Sequence, residues 1–174
     1  MLIKLTICGL LLIFLSGYYP VLTYPPVKLA TTFAQSNEQV EEVLSSSFTT
    51  PVNLPHPGYL STKFSAWHPG IDIATGLGMP IHPITQGVVV ETGTDFWGLG
   101  NYVLITHDNN FQSRYAHLGR IYAKKGQSIT TENILGEVGL TGYTSGPHTH
   151  LEVTYNKRFI DPQTILPEIP DMPK

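Results

Sequence analysis

Thiols are nearly missing from this 174-residue chain, whose one cysteine, Cys8, lies inside an apolar N-terminal run. A disulfide framework and a cysteine-ligated metal are excluded by count, so any metal must be held by His, Asp or Glu. Charge is scarce too, at 13% of residues with a formal net charge of -3, and no basic run exceeds Lys124-Lys125. That composition lacks the electrostatic footprint of a nucleic-acid binder. Phosphate-binding and dinucleotide fingerprints are missing, as is H-E-x-x-H with its helix-borne glutamate base. There is no G-x-S-x-G, and no serine has a recognisable activating context. Neither a long amphipathic helix nor an internal repeat is visible. What the chain does have is 41% hydrophobic residues, sixteen glycines and fourteen prolines. This suits one globular domain of short strands and turns.

The N-terminus reads as an export signal. Lys4 precedes an apolar run from Leu5 to Leu15, the n-region and h-region of a secretory leader. Read on from residue 5 to Leu22, the stretch approaches membrane-spanning length. Residues 1–24 are therefore expected to be a signal peptide or an N-terminal membrane anchor, and the protein to be exported. Tyr18 stands where a lipoprotein box would need its cysteine. Residues 25–52, rich in Thr, Ser, Pro and Gln, have the composition of a linker. Within it Ser36 and Gln39 form a capping box, and Val40, Val43 and Leu44 share one face of a short helix.

From about residue 53 to 166 the pattern turns to β. The segments "GVVVETG", "NYVLITH", "FQSRYAHL", "QSIT", "ILGEVG" and "HTHLEVTY" follow one another, each bounded by Gly, Pro, Asn or Asp. "DNN" at 108–110 and "YNK" at 155–157 read as hairpin turns. The expected class is mainly β, two packed antiparallel sheets in a monomer, with residues 167–174 as a C-terminal tail.

Seven histidines occur. On a strand, residues two apart project to the same face, so His148 and His150 point together, their Cβ atoms roughly 7 Å apart. Both could ligate one metal, or one ligates while the other meets substrate. In "WHPGIDIATGLG", Pro69 and Gly70 argue against a helix joining His68 to Asp72. Instead "GIDIA" begins a strand, with Ile71 and Ile73 on one side and Asp72 on the other. A carboxylate in so apolar a strand needs a partner, and a cation is one. His, Asp and His would give three ligands, the number usual for catalytic zinc, and the nitrogen and oxygen set suits that ion. His117, on the "RYAHL" strand, is the candidate for handling protons. Glu152 shares the parity of His148 and His150, a rival base or a hydrogen-bonding support for a ligand. His107 reads as structural, and His56 and His82 carry no spacing signal.

Taken together, "HPGIDIA" (68–74), "YAHL" (115–118) and "TSGPHTHLEV" (144–153) resemble the lysostaphin-type, or LytM-like, zinc endopeptidases. The likeness extends to "GMPIHPITQGVVVETG", "GLGNYVLITHDN", "GEVGLTG" and the closing "IDP", over roughly residues 55–166. The resemblance implies antiparallel sheets with a narrow groove over zinc, and hydrolysis of peptide bonds in the cross-links or stems of peptidoglycan. Carried over position by position, it makes His68, Asp72 and His150 the metal ligands and His117 and His148 the catalytic pair, with residues 53–166 the catalytic domain. Tyr59 matches a tyrosine that assists transition-state binding in some members. Thr149 and Leu151 depart from the family's usual Leu and Phe, and "LSTKFSAW" lacks the usual Phe-Gly-x-Arg run. The alternative is a LytM-like scaffold that has lost its zinc and activates a cell-wall amidase, but every ligand position is occupied here. A metal-dependent D-Ala-D-Ala peptidase fits less well, because its glutamate-containing second motif is missing.

Overall fold

The computed structural model describes residues 51–173. The expected leader or anchor at 1–24, and the expected linker up to residue 50 with its short helix, lie outside the described residues. Among the described residues no helix is long and apolar enough to cross a membrane.

The strands are β1 (Tyr59–Thr62), β2 (Ile71–Ala74), β3 (Pro80–Ile81), β4 (Gly87–Asp95), β5 (Gly100–Thr106), β6 (Phe111–Ile121), β7 (Ser128–Ile129), β8 (Gly136–Val138), β9 (His148–Tyr155) and β10 (Arg158–Ile160). The mainly β, antiparallel expectation holds. The main order is β1-β2-β9-β6-β5-β4-β7, with β10 on β9 and β8 bridging β6 to β3. Among the described residues hydrogen bonding thus links all ten strands into one network that branches at β6. Both expected turns are present. Asn109 and Asn110 (φ 54° and 64°) turn β5 into β6, and Asn156 and Lys157 (φ 50° and 64°) turn β9 into β10. Paired positive φ values are the signature of tight hairpin turns whose twist matches the strands.

Alternation gives the three central strands two unlike faces. The cross-strand line Ile71–Leu151–Tyr115 is buried, and Ile73 sits opposite Thr149 beside it. These residues join Phe111, Val103, Ile105, Val89 and Val153 in the core. The intervening line, Asp72–His150–Ala116, looks the other way, with the Glu152–Arg114 pair next to it. An antiparallel sheet can keep one face on the core and give the other to polar chemistry.

Strand β6 does not run straight. His117 has φ 63°, a left-handed conformation uncommon for any residue with a Cβ. There β6 leaves β9 and its far end takes up β8 instead, through Leu118–Val138 and Ile121–Gly136. The His117 amide donates to the Leu99 carbonyl (2.8 Å), and its own carbonyl accepts from Gly139 (3.0 Å). Its backbone groups are therefore satisfied off the regular ladder.

His107 is structural, as expected. Its ring lies 2.7 Å from both the Gln86 carbonyl and Ser113 Oγ, and Ser113 Oγ is 3.0 Å from the Tyr115 hydroxyl. Burial holds the ring below its ordinary value of 6.5, against the Gln86 carbonyl, which favours the charged form. The unfolded chain therefore binds more protons just below pH 6.5, so this contribution to stability is complete above that pH and lost as the pH falls. His107→Asn should cost about 1–2 kcal/mol near neutrality. The gap in melting midpoint from wild type should narrow between about pH 8 and about pH 5. A pH-independent gap in thermal melts would refute the neutral buried ring.

Candidate metal and catalytic site

Three separate stretches of chain converge on the polar face. A tight turn, closed by the mutual backbone bonds of Ser65 and His68 (3.0 and 3.2 Å), delivers His68 ahead of β2. Asp72 on β2 is the direct cross-strand partner of His150 on β9, and Ala74 is that of His148. His117 arrives from the bend in β6, immediately after Ala116, which faces His150 from the opposite flank.

The geometry centres on one carboxylate oxygen. Asp72 Oδ1 lies 2.7 Å from His150 Nδ1, 3.1 Å from His68 Nε2 and 3.7 Å from His148 Nε2. One ligand atom from each of His68, Asp72 and His150 fits within 4.8 Å of the others. Tetrahedral zinc with bonds near 2.0–2.1 Å places neighbouring donors about 3.4 Å apart, so the spacing suits such an ion.

The hydrogen bonds behind the rings supply a stricter test. His68 Nδ1 faces the Gly70 carbonyl at 2.9 Å. A carbonyl only accepts, so Nδ1 carries a hydrogen, and Nε2 is the atom turned toward the Asp72 carboxylate. A proton or a metal ion between Nε2 and the carboxylate would each satisfy that contact. His150 is flanked similarly, by Asp72 at Nδ1 and by Glu152 Oε1 (3.4 Å) at Nε2. Glu152 is in turn held by Arg114 at 2.7 Å. This is the carboxylate–imidazole arrangement that orients metal-binding histidines.

The electrostatics agree. Burial opposes ionisation of Asp72, but hydrogen bonds from His150 and Thr62, with the charges of His148 and His150, outweigh it and hold the carboxyl at about 2. Burial likewise disfavours a charged His150, yet bonds to Asp72 and Glu152 lift it to about 9. A field that binds a proton this firmly also attracts a divalent cation.

His117 and His148 form a second pair, their ring centroids 4.7 Å apart. His117 Nδ1 donates to the Thr141 carbonyl (2.9 Å) and His148 Nδ1 to the Gly146 carbonyl (2.8 Å). That leaves Nε2 of His117 free, while Nε2 of His148 faces Asp72 Oδ1 at 3.7 Å. Burial, reinforced by the neighbouring His148 and His150 and opposed by the Thr141 carbonyl, keeps His117 below its ordinary value and so neutral near pH 7.

All five residues singled out in the sequence are thus brought together. Glu152 takes the supporting position behind His150, and Tyr59 lines a groove of about 910 Å³ that also reaches His148. Sequence reasoning missed two residues. Arg114 is detectable only once β6 is known to lie beside β9. His56 had no spacing signal, yet it is buried, and its Nε2 lies 2.8 Å from Thr149 Oγ1. It satisfies the polar side chain that sits between the two β9 histidines on the core face.

Residues 66–162 match peptidase family M23. Peptidoglycan DD-endopeptidase ShyA of Vibrio cholerae is 41% identical over 97 residues, 56% of this chain and 22% of that protein. The chain spans between 22% and 28% of the length of such curated relatives. Among solved structures, a zinc-containing peptidase from Vibrio cholerae superposes with a TM-score of 0.62 at 28% identity, over 70% of this chain and 41% of that one. Lysostaphin, the antimicrobial peptidase of Staphylococcus simulans, gives 0.56 at 28% identity, over 63% and 48%.

Two substitutions probe the supports of the site. Glu152→Gln should weaken metal binding about 10–100-fold in equilibrium dialysis while the chain stays folded. At Gly70 an added Cβ would lie 2.6 Å from the Leu151 carbonyl and 2.9 Å from His150 Cε1. Gly70→Ala should therefore displace the His150 ring, lowering both metal content and melting temperature. Full metal retention in both variants would refute the arrangement described.

Proposed function

The chain belongs to peptidase family M23, and from that premise and the site's geometry we propose an exported zinc metalloendopeptidase acting on peptidoglycan. It hydrolyses peptide bonds in cross-links or stem peptides, and the likeness to ShyA favours a DD-endopeptidase cut. The observation that carries the reading is the convergence of three imidazole nitrogens on one Asp72 oxygen. Export draws its support from Lys4 and the apolar run behind it.

His68 through Nε2, Asp72 through Oδ1 and His150 through Nδ1 would hold the ion. When bound, zinc supplies Lewis acidity toward the scissile carbonyl. The chain's own groups do the rest. His117, neutral with Nε2 unprotonated, accepts a proton from the attacking water, and the imidazolium returns it to the leaving amine as the C–N bond breaks. His148, its Nδ1 held by the Gly146 carbonyl, is placed to share this transfer and to hydrogen-bond the developing oxyanion. Thr141 and Gly146 keep the two rings aimed. A scaffold that activates an amidase would need none of these groups, and here all are in place.

Purified sacculi incubated with zinc-loaded protein should release peptide fragments, and a chelator should abolish the release. His148→Ala should retain zinc while losing roughly 10²–10⁴-fold in rate. His150→Ala should lose zinc and activity together. Stoichiometric zinc in His150→Ala would overturn the ligand set, and intact sacculi with zinc-loaded wild type would favour the scaffold.

A further inference from the structure

The groove beside His148 is walled partly by residues outside the family match. Tyr59, Ala74 and His148 lie in one cross-strand row over β1, β2 and β9. Beyond β1 the chain adds one more rung. The Leu60 amide donates to the Pro170 carbonyl (2.8 Å) and the Met172 amide to the Leu60 carbonyl (3.1 Å), making a parallel bridge between Leu60 and Asp171. Ile169, buried in the core, anchors this segment, and Lys63 pairs with Asp171 at 3.2 Å. Pro170 and Met172 therefore form the outer wall of the groove, opposite His148.

The row sets a length scale. Three strand spacings of about 4.8 Å place the outer wall about 14 Å from His148, and an extended peptide covers that in about four residues. Chemistry sets the occupant. Among the described residues the groove is lined by Pro, Met, Tyr, Ala, Gly, Ser and Thr besides His148, with no Asp, Glu, Lys or Arg. A charged group entering it would lose water without gaining a counter-ion, whereas small apolar side chains would exchange water for Met172, Pro170 and the Tyr59 ring. Met172 and Tyr59 are half exposed and open to such a ligand.

We propose that Pro170, Met172 and Tyr59 form a distal subsite that binds an uncharged peptide segment with small side chains, three to four residues from the scissile bond. The C-terminal segment then determines which substrate arms are accepted, because binding far from the reacting bond improves capture of the substrates that reach it. The identity of the substrate rests on the endopeptidase reading; the subsite itself rests on the groove.

The test separates the two. In the full chain carrying His117→Asn, a change the left-handed backbone tolerates and that removes the proton acceptor, calorimetry measures the Kd of a soluble cross-linked muropeptide dimer without turnover. Adding Met172→Glu should raise that Kd roughly tenfold, the loss expected for a side chain half-buried by ligand. Ile134→Glu, the same kind of exposed apolar-to-acid change away from the groove, should not. With otherwise wild-type protein, Met172→Glu should raise KM on sacculi more than it lowers kcat, at unchanged zinc content. A Kd within twofold for Met172→Glu, or a dimer that binds neither protein, overturns the subsite. Uncleaved sacculi with the Kd shift intact would remove the catalytic reading and leave the subsite standing.

Discussion

Asp72 Oδ1 is the atom on which the polar face is organised. A carboxylate flanked by two fully buried isoleucines cannot stay ionised without positive charge close by, and this one is met by three imidazoles. Desolvation alone would neutralise the group; the surrounding nitrogens reverse the sign and fix it as an anion. The positions of the three rings follow. His150 is set by strand register, His148 by sitting two residues away on the same face, and His68 by a turn whose Gly70 carbonyl holds its Nδ1.

Support spreads outward from there along the sheet. Glu152 holds the far nitrogen of His150, Arg114 holds Glu152, and the Arg114 guanidinium lies 5.9 Å from the centre of the Tyr102 ring. Tyr102 donates to Glu91 on the next strand. Successive strands therefore each contribute one member, and the site gains its rigidity from the ladder that also encloses the core. On the opposite face His56 performs a humbler task, pairing a threonine that would otherwise be a lone buried hydroxyl between the two β9 histidines.

Much of this was legible in the residues. Period-two alternation in "HTHLEVTY" located a strand and put His148 and His150 on one face, and both asparagine-bearing turns fell where turn chemistry put them. The motifs around His68, Asp72, His117 and His150 named the family. What stayed hidden was short or non-local. β1, β3 and β10 are two to four residues long, too brief to show a period. No pattern announced that His117 would adopt a left-handed φ, because that conformation is imposed by the Leu99 and Gly139 backbones. Arg114 and His56 acquired partners only through register and through contacts 38 and 93 residues away. The stretch expected at 167–174 to be no more than a tail extends the sheet edge, through a bridge between Leu60 and Asp171.

The span between the two halves of the site has a kinetic consequence. His68 and Asp72 are near neighbours in sequence, but Asp72 and His150 are 78 residues apart and meet only when β2 docks on β9. Closing so long a loop between strands is slow compared with forming local turns. Before that step the chain offers only fragments of a chelating set, each with weak hold on an ion. Metal capture should thus come late in folding and mark a correctly assembled sheet, because a chain that stalls before β2 docks on β9 has no complete set of ligands to offer an ion.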